Sequence, residues 1–542
     1  MLLTSPDFIS HRSPVFARDG MVSSSQPLAS AAGVHILAQG GNAADAAVAC
    51  AAALNVTEPT STGLGGDMFA LYYDVNTRQV SAINGSGRAP SCLNLGRLAD
   101  EGFASELPIF HAHTVTVPGA CAGWCDLIDR HGSLPLSQIL APAIQLASQG
   151  FPVSPITAHF WQIGAERQLR NAPNGVELTI DGRGPKPGEI FRNPGLARTL
   201  ESVAGAGKKA FYEGPIADSI VEVLRAAGGC MASTDLAGHV STWDQPASVT
   251  FGAFRVHECP PNGQGITALI ALNILEGFDI LSLDPLSPDR LHLEIEALRL
   301  AFADARRYIS DPAFSVIPLD ELISKSYAVK RRALINPAAA NLSLEYGRPI
   351  SSSDTVYCCV VDRWGNACSF INSNYMGFGT GIVPKGWGFS LQNRGHNFSL
   401  QPGHPNALAP GKRPYHTIIP ALITRADDDS LVGPFGVMGG FMQPQGHLQV
   451  FLALAQGFDP QTALDLPRFC IEDGLPSDRV AMEEGIPLKT LSRLAEMGQP
   501  VRPVHGWDRA LFGRGQVILR DTQGVLCAGS DPRADGCAMP VL

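Results

Sequence analysis

A threonine at the start of an apolar run is the residue best placed to do covalent chemistry. Thr355 follows a polar stretch that ends at Asp354, and it precedes Val356 to Val361, which are β-branched, aromatic or thiol-bearing. This pattern predicts a buried strand, residues 362–366 predict a turn, and residues 367–374 predict a returning strand. The stretch by itself leaves two interpretations open, a nucleophile at the end of a hairpin or a hairpin that merely begins with Thr.

We hypothesise that the protein cuts its own peptide bond between Asp354 and Thr355. A Thr hydroxyl is a poor nucleophile without a base. A free α-amino group titrates near about 7.7–8.0, close to the pH at which general-base catalysis works best. The hydroxyl of Thr355 would attack the Asp354 carbonyl, and hydrolysis of the resulting ester would free the amine. Thr355 would then be nucleophile and base in one residue.

Composition excludes several functional classes. The chain has 542 residues, 45% hydrophobic and 17% charged, with a net charge of −10, which is typical of a globular protein of two to four domains. The sequence has no basic stripe that would indicate nucleic-acid binding, and no apolar run reaches the ~18 residues of a membrane span.

The N-terminus lacks the features of a signal peptide, and the 12 scattered cysteines favour a reducing compartment. We therefore expect a cytoplasmic protein, with a periplasmic one left open if a leader has been removed.

The elements around the hairpin predict how its threonine is positioned. Residues 27–38 predict a helix, and Asn42 is expected to cap a second, Ala-rich helix over residues 43–54. Residues 68–73 and 389–392 predict strands. Groups of strands separated by helices indicate an α+β fold in layers.

Three further stretches carry specific expectations. Gly439-Gly440 precedes a predicted helix at residues 445–456, and backbone N–H groups at such a corner bind anions, as an oxyanion hole does; a plain helix entry is the alternative. Residues 288–310 predict an amphipathic helix with its charges on one side. Residues 336–354, rich in small and polar side chains, predict a mobile linker.

Several motifs together resemble the γ-glutamyltransferase family of N-terminal nucleophile hydrolases, over almost the whole chain from about Ser25. The similarity is carried by residues 40–46, Thr57-Glu58-Pro59, 63–67, 117–119, 210–212, 299–304, the Thr355 hairpin, 378–381 and Gly439-Gly440.

The resemblance implies a four-layer αββα sandwich and self-cleavage before Thr355. It implies a large subunit, 1–354, and a small subunit, 355–542, that stay associated, with a dimer of such pairs left open, and it implies no metal and no organic cofactor. It also implies that Thr355 is nucleophile and base, that Ser373 hydrogen-bonds the nucleophile, and that Gly439 and Gly440 supply the oxyanion donors.

The residues expected to contact the substrate depart from the pattern of true γ-glutamyl transferases. Ser86 stands where that family has a carboxylate-binding Arg, with Arg88 two residues on. An Asn becomes Tyr375, a Gln becomes Arg394, the Asp that pairs with the substrate ammonium becomes Asn397, and a Ser-Ser pair becomes His416-Thr417. The loss of that Asp removes the partner of an ammonium group, which is costly to bury unpaired, whereas Arg394 adds a positive charge.

These departures predict a small-molecule amide substrate with an anionic acyl group that lacks an α-amine. The pattern resembles the family branch that contains oxamate amidohydrolase, which forms oxalate and ammonia, and also glutaryl-type cephalosporin acylases. A γ-glutamyl hydrolase or transferase acting on glutathione is the alternative. A more remote alternative is a non-catalytic member that is never cut.

Overall fold

The computed structural model describes residues 12–343, 354–472 and 479–542. Within these ranges the chain forms nineteen strands and seventeen α-helices. The strands are β1 Val15–Ala17, β2 Gly20–Ser24, β3 Asp67–Asp74, β4 Gln79–Gly85, β5 Phe151–Pro152, β6 Ile190–Phe191, β7 Thr242–Asp244, β8 Ala247–Phe251, β9 Phe254–Glu258, β10 Asp354–Asp362, β11 Ala367–Tyr375, β12 Ala421–Arg425, β13 Leu431–Met438, β14 Phe469–Ile471, β15 Val480–Glu483, β16 Val501–Val504, β17 Arg514–Arg520, β18 Leu526–Ser530 and β19 Cys537–Pro540. The helices are α1 Pro27–Ala38, α2 Ala43–Thr57, α3 Leu95–Asp100, α4 Ala120–His131, α5 Leu136–Gln149, α6 Pro155–Gly164, α7 Pro194–Ala206, α8 Lys209–Tyr212, α9 Pro215–Ala226, α10 Ser233–Ala237, α11 Gly265–Leu275, α12 Pro288–Tyr308, α13 Leu319–Leu322, α14 Lys325–Arg332, α15 Met442–Gln456, α16 Pro460–Asp465 and α17 Leu488–Glu496.

Two seven-stranded antiparallel sheets lie face to face between layers of helices. Sheet I has the order β19-β2-β10-β11-β3-β4-β7, and sheet II has the order β1-β18-β17-β13-β12-β9-β8. Alternate side chains of β10 point to opposite faces of sheet I, as the strand repeat requires. Val356, Cys358 and Val360 pack in the cluster that contains α2, whereas Tyr357 and Cys359 pack against sheet II. Helices α11, α12 and α15 cover the other face of sheet II, so the αββα prediction is confirmed.

The hairpin of β10 and β11 is attached to the capped helix α2. The Asn42 side chain accepts hydrogen bonds from the N–H groups of Ala44 and Asp45, and Asp45 accepts one from the Asn42 N–H, which forms a capping box. Asp362 Oδ1 accepts three turn N–H groups, and its Oδ2 accepts the Ala43 N–H at 3.0 Å. The predicted hairpin and the predicted Asn42 cap are therefore confirmed, and one carboxylate joins them.

The expectation for the helix at residues 288–310 is corrected, because the charged side of α12 is buried too. Arg290 and Glu294 are each 2% exposed. The Arg290 Nε donates to Glu294 at 2.8 Å, and its Nη1 donates to Gln456 of α15 at 2.6 Å. Burial of these charges is compatible with a stable fold because each has a partner within hydrogen-bonding distance.

Two further sequence-based expectations need correction. The first part of the supposed mobile linker is attached to helices: the Asn336 carbonyl lies 2.8 Å from a His292 ring nitrogen, and the Asn341 N–H donates to Glu296 at 3.0 Å. Residues 344–353 of that linker lie outside the described residues. Residues 389–392 do not form the predicted strand. Their backbone groups form hydrogen bonds with loop residues instead, as the Gln392 N–H does with the Gly65 carbonyl. No α-helix in the described part of the chain combines the length and hydropathy needed to span a membrane.

Candidate active site

Thr355 lies at the start of β10, an internal strand of sheet I, where β10 begins beside β11. Asp354 pairs with Tyr375 and Val356 pairs with Asn372, so the register shifts by a bulge at Thr355. Thr355 is fully buried, and its Oγ1 donates to Ser373 Oγ at 3.1 Å. Bulges re-aim side chains next to active sites, and this one accompanies a direct contact between the predicted nucleophile and the predicted hydroxyl partner.

Tyr375 ends β11 in a left-handed backbone conformation, with φ at +78°. Its N–H donates to Ser373 Oγ at 2.8 Å, and its phenol donates to Asn397 Oδ1 at 2.6 Å. The Asn397 Nδ2 in turn donates to the Tyr415 carbonyl at 3.1 Å. A bulky residue with positive φ needs such fixed contacts to persist, so Tyr375 and Asn397 form one rigid wall beside Ser373.

Arg394 places a buried guanidinium against that wall. Its Nη2 donates to Ser373 Oγ at 3.2 Å, its Nη1 donates to Thr417 Oγ1 at 2.7 Å, and its Cζ lies 4.4 Å from the centre of the Tyr375 ring. Burial lowers the pKa of Arg394 to about 10, against the opposing attraction of Asp67. The guanidinium is therefore charged at neutral pH and lies one hydroxyl away from Thr355.

Asp67, the first residue of β3, supplies the opposite charge. It pairs across strands with Ser373, and its Oδ2 lies 3.8 Å from Arg394 Nε. Oδ1 accepts the Gly87 N–H at 2.9 Å, and Oδ2 lies 3.1 Å from His416 Nε2. Asp67, Arg394 and His416 are all fully buried, so the ionic pair is shielded from solvent screening.

His416 is neutral in this setting. Burial and the nearby charge of Arg394 lower its pKa to about 4, although its hydrogen bond to Asp67 opposes that shift. Its Nδ1 accepts the Ile418 N–H at 3.3 Å, which assigns the proton of the neutral ring to Nε2, facing Asp67. The net charge of the Asp67, Arg394 and His416 cluster is therefore close to zero.

A glycine corner lies before α15. Gly439 and Gly440 have φ values of +131° and +57°, which glycine adopts without a steric penalty. Among the described residues neither N–H donates a hydrogen bond, so both can receive an oxyanion. The Gln443 Nε2 lies 3.5 Å from Thr355 Oγ1, which places the corner next to the nucleophile.

Gln264 and Gln443 hold this corner in place. The Gln264 Nε2 donates to the carbonyls of Thr417 at 2.7 Å and Gly440 at 2.8 Å. The Gln443 Oε1 accepts the Ile419 N–H at 2.9 Å. The oxyanion corner and the loop that bears His416 and Thr417 are therefore parts of one hydrogen-bonded unit.

Arg88 lies apart from this cluster. It is half-buried, and the hydrogen bond that its side chain makes within the described residues goes from Nη1 to the Val240 carbonyl at 3.3 Å. Arg413, which is buried, also donates to that carbonyl, and its Nε donates to the Ser86 carbonyl at 3.0 Å. Of the two arginines that the sequence predicted for the pocket, the structure brings Arg394 and not Arg88 to Ser373.

A cleft of about 860 Å³ borders the site. Its walls include Asn397, Tyr415 and Phe441, and Arg306 lies at its side, with Cζ 5.1 Å from the Phe441 ring centre. Phe441 directly follows the glycine corner. A ligand in this cleft would therefore contact Asn397, which accepts from Tyr375, and Phe441, which directly precedes α15.

The structure brings together most of the residues that the sequence predicted. Thr355, Ser373, Tyr375, Arg394, Asn397, His416, Thr417, Gly439 and Gly440 form one connected site, and Arg88 is the exception. Sequence reasoning missed Asp67, Gln264, Gln443 and Arg413. For Asp67 a signal existed, since a carboxylate after Gly65-Gly66 is conspicuous, whereas the two glutamines carry no local signal.

Comparisons with known proteins show the family to which the chain is related. The family model described as Gamma-glutamyltranspeptidase matches residues 29–541. The chain is 37% identical to the glutathione hydrolase-like YwrD proenzyme of Bacillus subtilis, with 96% of this chain and 98% of the relative covered. It is 33% identical to the oxamate amidohydrolase proenzyme of Klebsiella pneumoniae, with the same coverage of 96% and 98%.

A solved structure shares the complete fold. The cephalosporin acylase from Bacillus halodurans superposes with a TM-score of 0.92 at 43% identity, covering 100% of this chain and 99% of that one. This shared fold and the family match over residues 29–541 point to one conclusion. The chain belongs to the gamma-glutamyltranspeptidase family, whose members are hydrolases and transpeptidases of the N-terminal nucleophile type.

Proposed function

We propose that the chain cuts itself before Thr355 and then hydrolyses the amide bond of a small acyl group that carries a carboxylate. Oxamate is the leading candidate substrate, and its products would be oxalate and ammonia. The observation that carries the proposal is the position of Arg394, whose Nη2 reaches Ser373 Oγ, which itself accepts the Thr355 hydroxyl. A cation so close to the nucleophile suits a carboxylate next to the scissile carbonyl.

The steps follow from the residues in place. In the uncut chain the nitrogen of Thr355 is part of a peptide bond. The Oγ1 of Thr355 donates to Ser373 Oγ and lies near Gln443 Nε2. Once freed, the amine takes the proton of Oγ1 directly or through a water molecule, and Oγ1 attacks the substrate carbonyl. The N–H groups of Gly439 and Gly440 stabilise the oxyanion. The protonated amine then gives its proton to the leaving nitrogen, and water hydrolyses the acyl ester.

Hydrolysis of γ-glutamyl compounds is less well supported by the site. The position expected to hold an ammonium partner is Asn397, a neutral amide engaged by Tyr375 and Tyr415. Asp67 is a carboxylate in the cluster, but it is occupied by Gly87, His416 and Arg394. An α-ammonium group would therefore be buried without a counter-charge.

A glutaryl-type acylase is the second candidate, and a specific observation favours it. The cleft of about 860 Å³ beside Phe441 is much larger than ammonia requires as a leaving group. The apolar rings of Phe398, Tyr415 and Phe441 line it, so a bulky amine could occupy it. The anionic acyl group would still be held by Arg394.

The test compares substrates on one purified protein. Ammonia release from oxamate, p-nitroaniline release from γ-glutamyl-p-nitroanilide and amine release from glutaryl-p-nitroanilide are measured side by side. We expect activity with oxamate to exceed activity with the γ-glutamyl anilide at least tenfold in kcat/KM. A preference for the γ-glutamyl anilide would refute the proposed substrate class.

The variant Thr355→Ala tests the nucleophile in the same experiment. It should give one full-length band on a denaturing gel and no activity, whereas wild type should give two bands. The matched control is Thr424→Ala, which removes a buried Thr hydroxyl on β12 that contacts His257 and should still be cut. Two bands from Thr355→Ala would show that Thr355 is not the residue that cuts the chain.

A further inference from the structure

Amide hydrolysis of a carboxylated acyl group creates a second carboxylate in the site. Oxamate carries one negative charge and oxalate carries two, and any other half-amide of a dicarboxylic acid follows the same rule. Arg394 attracts both substrate and product, and the product more strongly because it bears the larger charge. A site with an uncompensated guanidinium would therefore retain its product.

Asp67 lies where it counteracts that attraction. Its Oδ2 is 3.8 Å from Arg394 Nε, whereas Nη1 and Nη2 of the same guanidinium point to Thr417 and Ser373. The carboxylate itself is held in place by the Gly87 N–H and the Nε2–H of His416. The Nη atoms of the guanidinium therefore face the nucleophile, and the negative charge of Asp67 lies on the opposite side, next to Nε.

Among the described residues, the titratable or charged groups that interact with Asp67 and Arg394 include His416 and Arg413. His416 is neutral because burial and Arg394 lower its pKa to about 4. Arg413, which donates to the Ser86 carbonyl, is a second cation close enough to contribute to the lowered pKa of His416. Asp67 and Arg394 are both fully buried, so an added anion interacts with Asp67 through a medium of low dielectric constant, where repulsion between like charges is strong.

On the basis of the function proposed above, we propose that Asp67 is a positioning residue that sets the balance between substrate binding and product release. It fixes the orientation of Arg394, and its negative charge repels the dicarboxylate product more than the monoanionic half-amide. No bond to Asp67 forms or breaks in the reaction.

Asp67→Asn is the variant that tests this role, because it removes the charge and keeps one oxygen, which can accept from either Gly87 or His416. Product inhibition by oxalate and the KM for oxamate are measured in wild type and variant. We expect the Ki of oxalate to fall at least tenfold and the KM of oxamate to fall by a smaller factor, so that the ratio of Ki to KM falls. A purely structural role would leave this ratio unchanged while kcat decreased.

Asp304→Asn is the matched control, since Asp304 also pairs with an arginine, Arg331, at 3.0 Å, but on helices outside the site. It should leave the ratio of Ki to KM as in wild type. An unchanged or increased ratio in Asp67→Asn would overturn the proposal. If Asp67→Asn does not yield folded protein, Asp67→Ser, which also keeps an oxygen without the charge, is measured in its place.

A binding measurement tests the role of Asp67 independently of whether oxamate is the substrate. Oxalate and glutarate are titrated into cut wild type and Asp67→Asn, and the rise in Tm is recorded. Both dicarboxylates should stabilise the variant more than wild type, even if oxamate proves not to be hydrolysed. Equal stabilisation of the two proteins would refute the role of Asp67, whereas inactivity toward oxamate alone would refute only the choice of substrate.

Discussion

At the scale of single residues, the site is a chain of short contacts that begins at one hydroxyl. Thr355 donates to Ser373, Ser373 accepts from Arg394, and Arg394 also donates to Thr417. Each link places the next group within hydrogen-bonding distance, so nucleophile and cation have a defined separation before any ligand binds. Such preorganisation is how a site avoids a reorganisation cost during the reaction.

Arg394→Ala should raise the KM for oxamate roughly tenfold to hundredfold, because a charge-assisted hydrogen bond contributes about 1.5–3 kcal/mol. The KM for the neutral diamide oxamide should change much less. Steady-state kinetics with both amides measure the difference. Arg88→Ala, which removes a charge at the Val240 carbonyl, should leave both values close to wild type.

Equal losses with the charged and the neutral amide would contradict a carboxylate-binding role for Arg394. Arg394→Lys adds a second control, because it keeps the charge but loses the two-pronged geometry of the guanidinium. It should give an intermediate KM.

At the scale of helices and strands, glycines allow the segments around the nucleophile to pack closely against one another. A Cβ built on Gly66 would lie 2.3 Å from the Ser373 carbonyl oxygen, whereas one on Gly205 in α7 meets nothing within 4 Å. The Gly-rich stretch before β3 is therefore a packing requirement of β11, which bears Ser373.

Gly66→Ala should destabilise the protein by several kcal/mol, because the clash is with backbone that cannot rotate away. Gly205→Ala should stabilise it by about 0.5–1 kcal/mol, since glycine is unfavourable inside a helix. Thermal unfolding of the two variants beside wild type measures both effects. A Gly66→Ala variant as stable as wild type would contradict the packing found here.

The burial of His257 on β9 predicts that the folding stability of the protein depends on pH. It is buried beside Thr424, at 3.0 Å, and burial, aided by the charge of Arg255, lowers its pKa to about 3. As pH falls below about 6.5 the unfolded chain binds a proton on this ring and the folded chain does not, so stability is lost. The loss amounts to about 3 kcal/mol between pH 6.5 and pH 4, at about 1.4 kcal/mol per pH unit.

The measurement compares wild type with His257→Gln in urea titrations at pH 7, 5 and 4. The variant should lose less stability on acidification, whatever its stability at pH 7. Parallel losses in the two proteins would show that His257 does not titrate as its burial indicates.

At the scale of the whole molecule, the proposed cut does not separate two folding units. Sheet I interleaves β2, β3, β4 and β7 from before Thr355 with β10, β11 and β19 from after it. Sheet II is likewise built from both parts, since β9 pairs with β12 and β8 pairs with β9. Both apolar layers between sheets and helices therefore contain residues from each side of the cut.

The two fragments should consequently remain together after cleavage. Size-exclusion chromatography of cut wild type in native buffer should give the elution volume of uncut Thr355→Ala, and separation should require denaturant. The physical reason is that parting the fragments would expose both sheet faces and their backbone hydrogen-bonding groups. Two separate native species would contradict the interleaved sheets.

Much of the fold could be read from the sequence because its signals are local. The β10–β11 hairpin follows from an apolar, β-branched run and a turn, and the start of α2 follows from the capping residue Asn42. The nucleophile follows from a Thr at the strand start together with family motifs. The amphipathic reading of α12 failed because periodicity reports which side chains are charged and does not report what covers them.

Local sequence patterns specify the hairpin and the capped helix, and together with the family motifs they identify Thr355 as the residue on which the proposed chemistry depends. The approach of Arg394, and not Arg88, to Ser373 and the position of Asp67 behind that guanidinium emerge in the folded chain. The physical reason is that such pairings join residues far apart along the chain. They are selected by the cost of burying a charge without a partner, which no local pattern expresses.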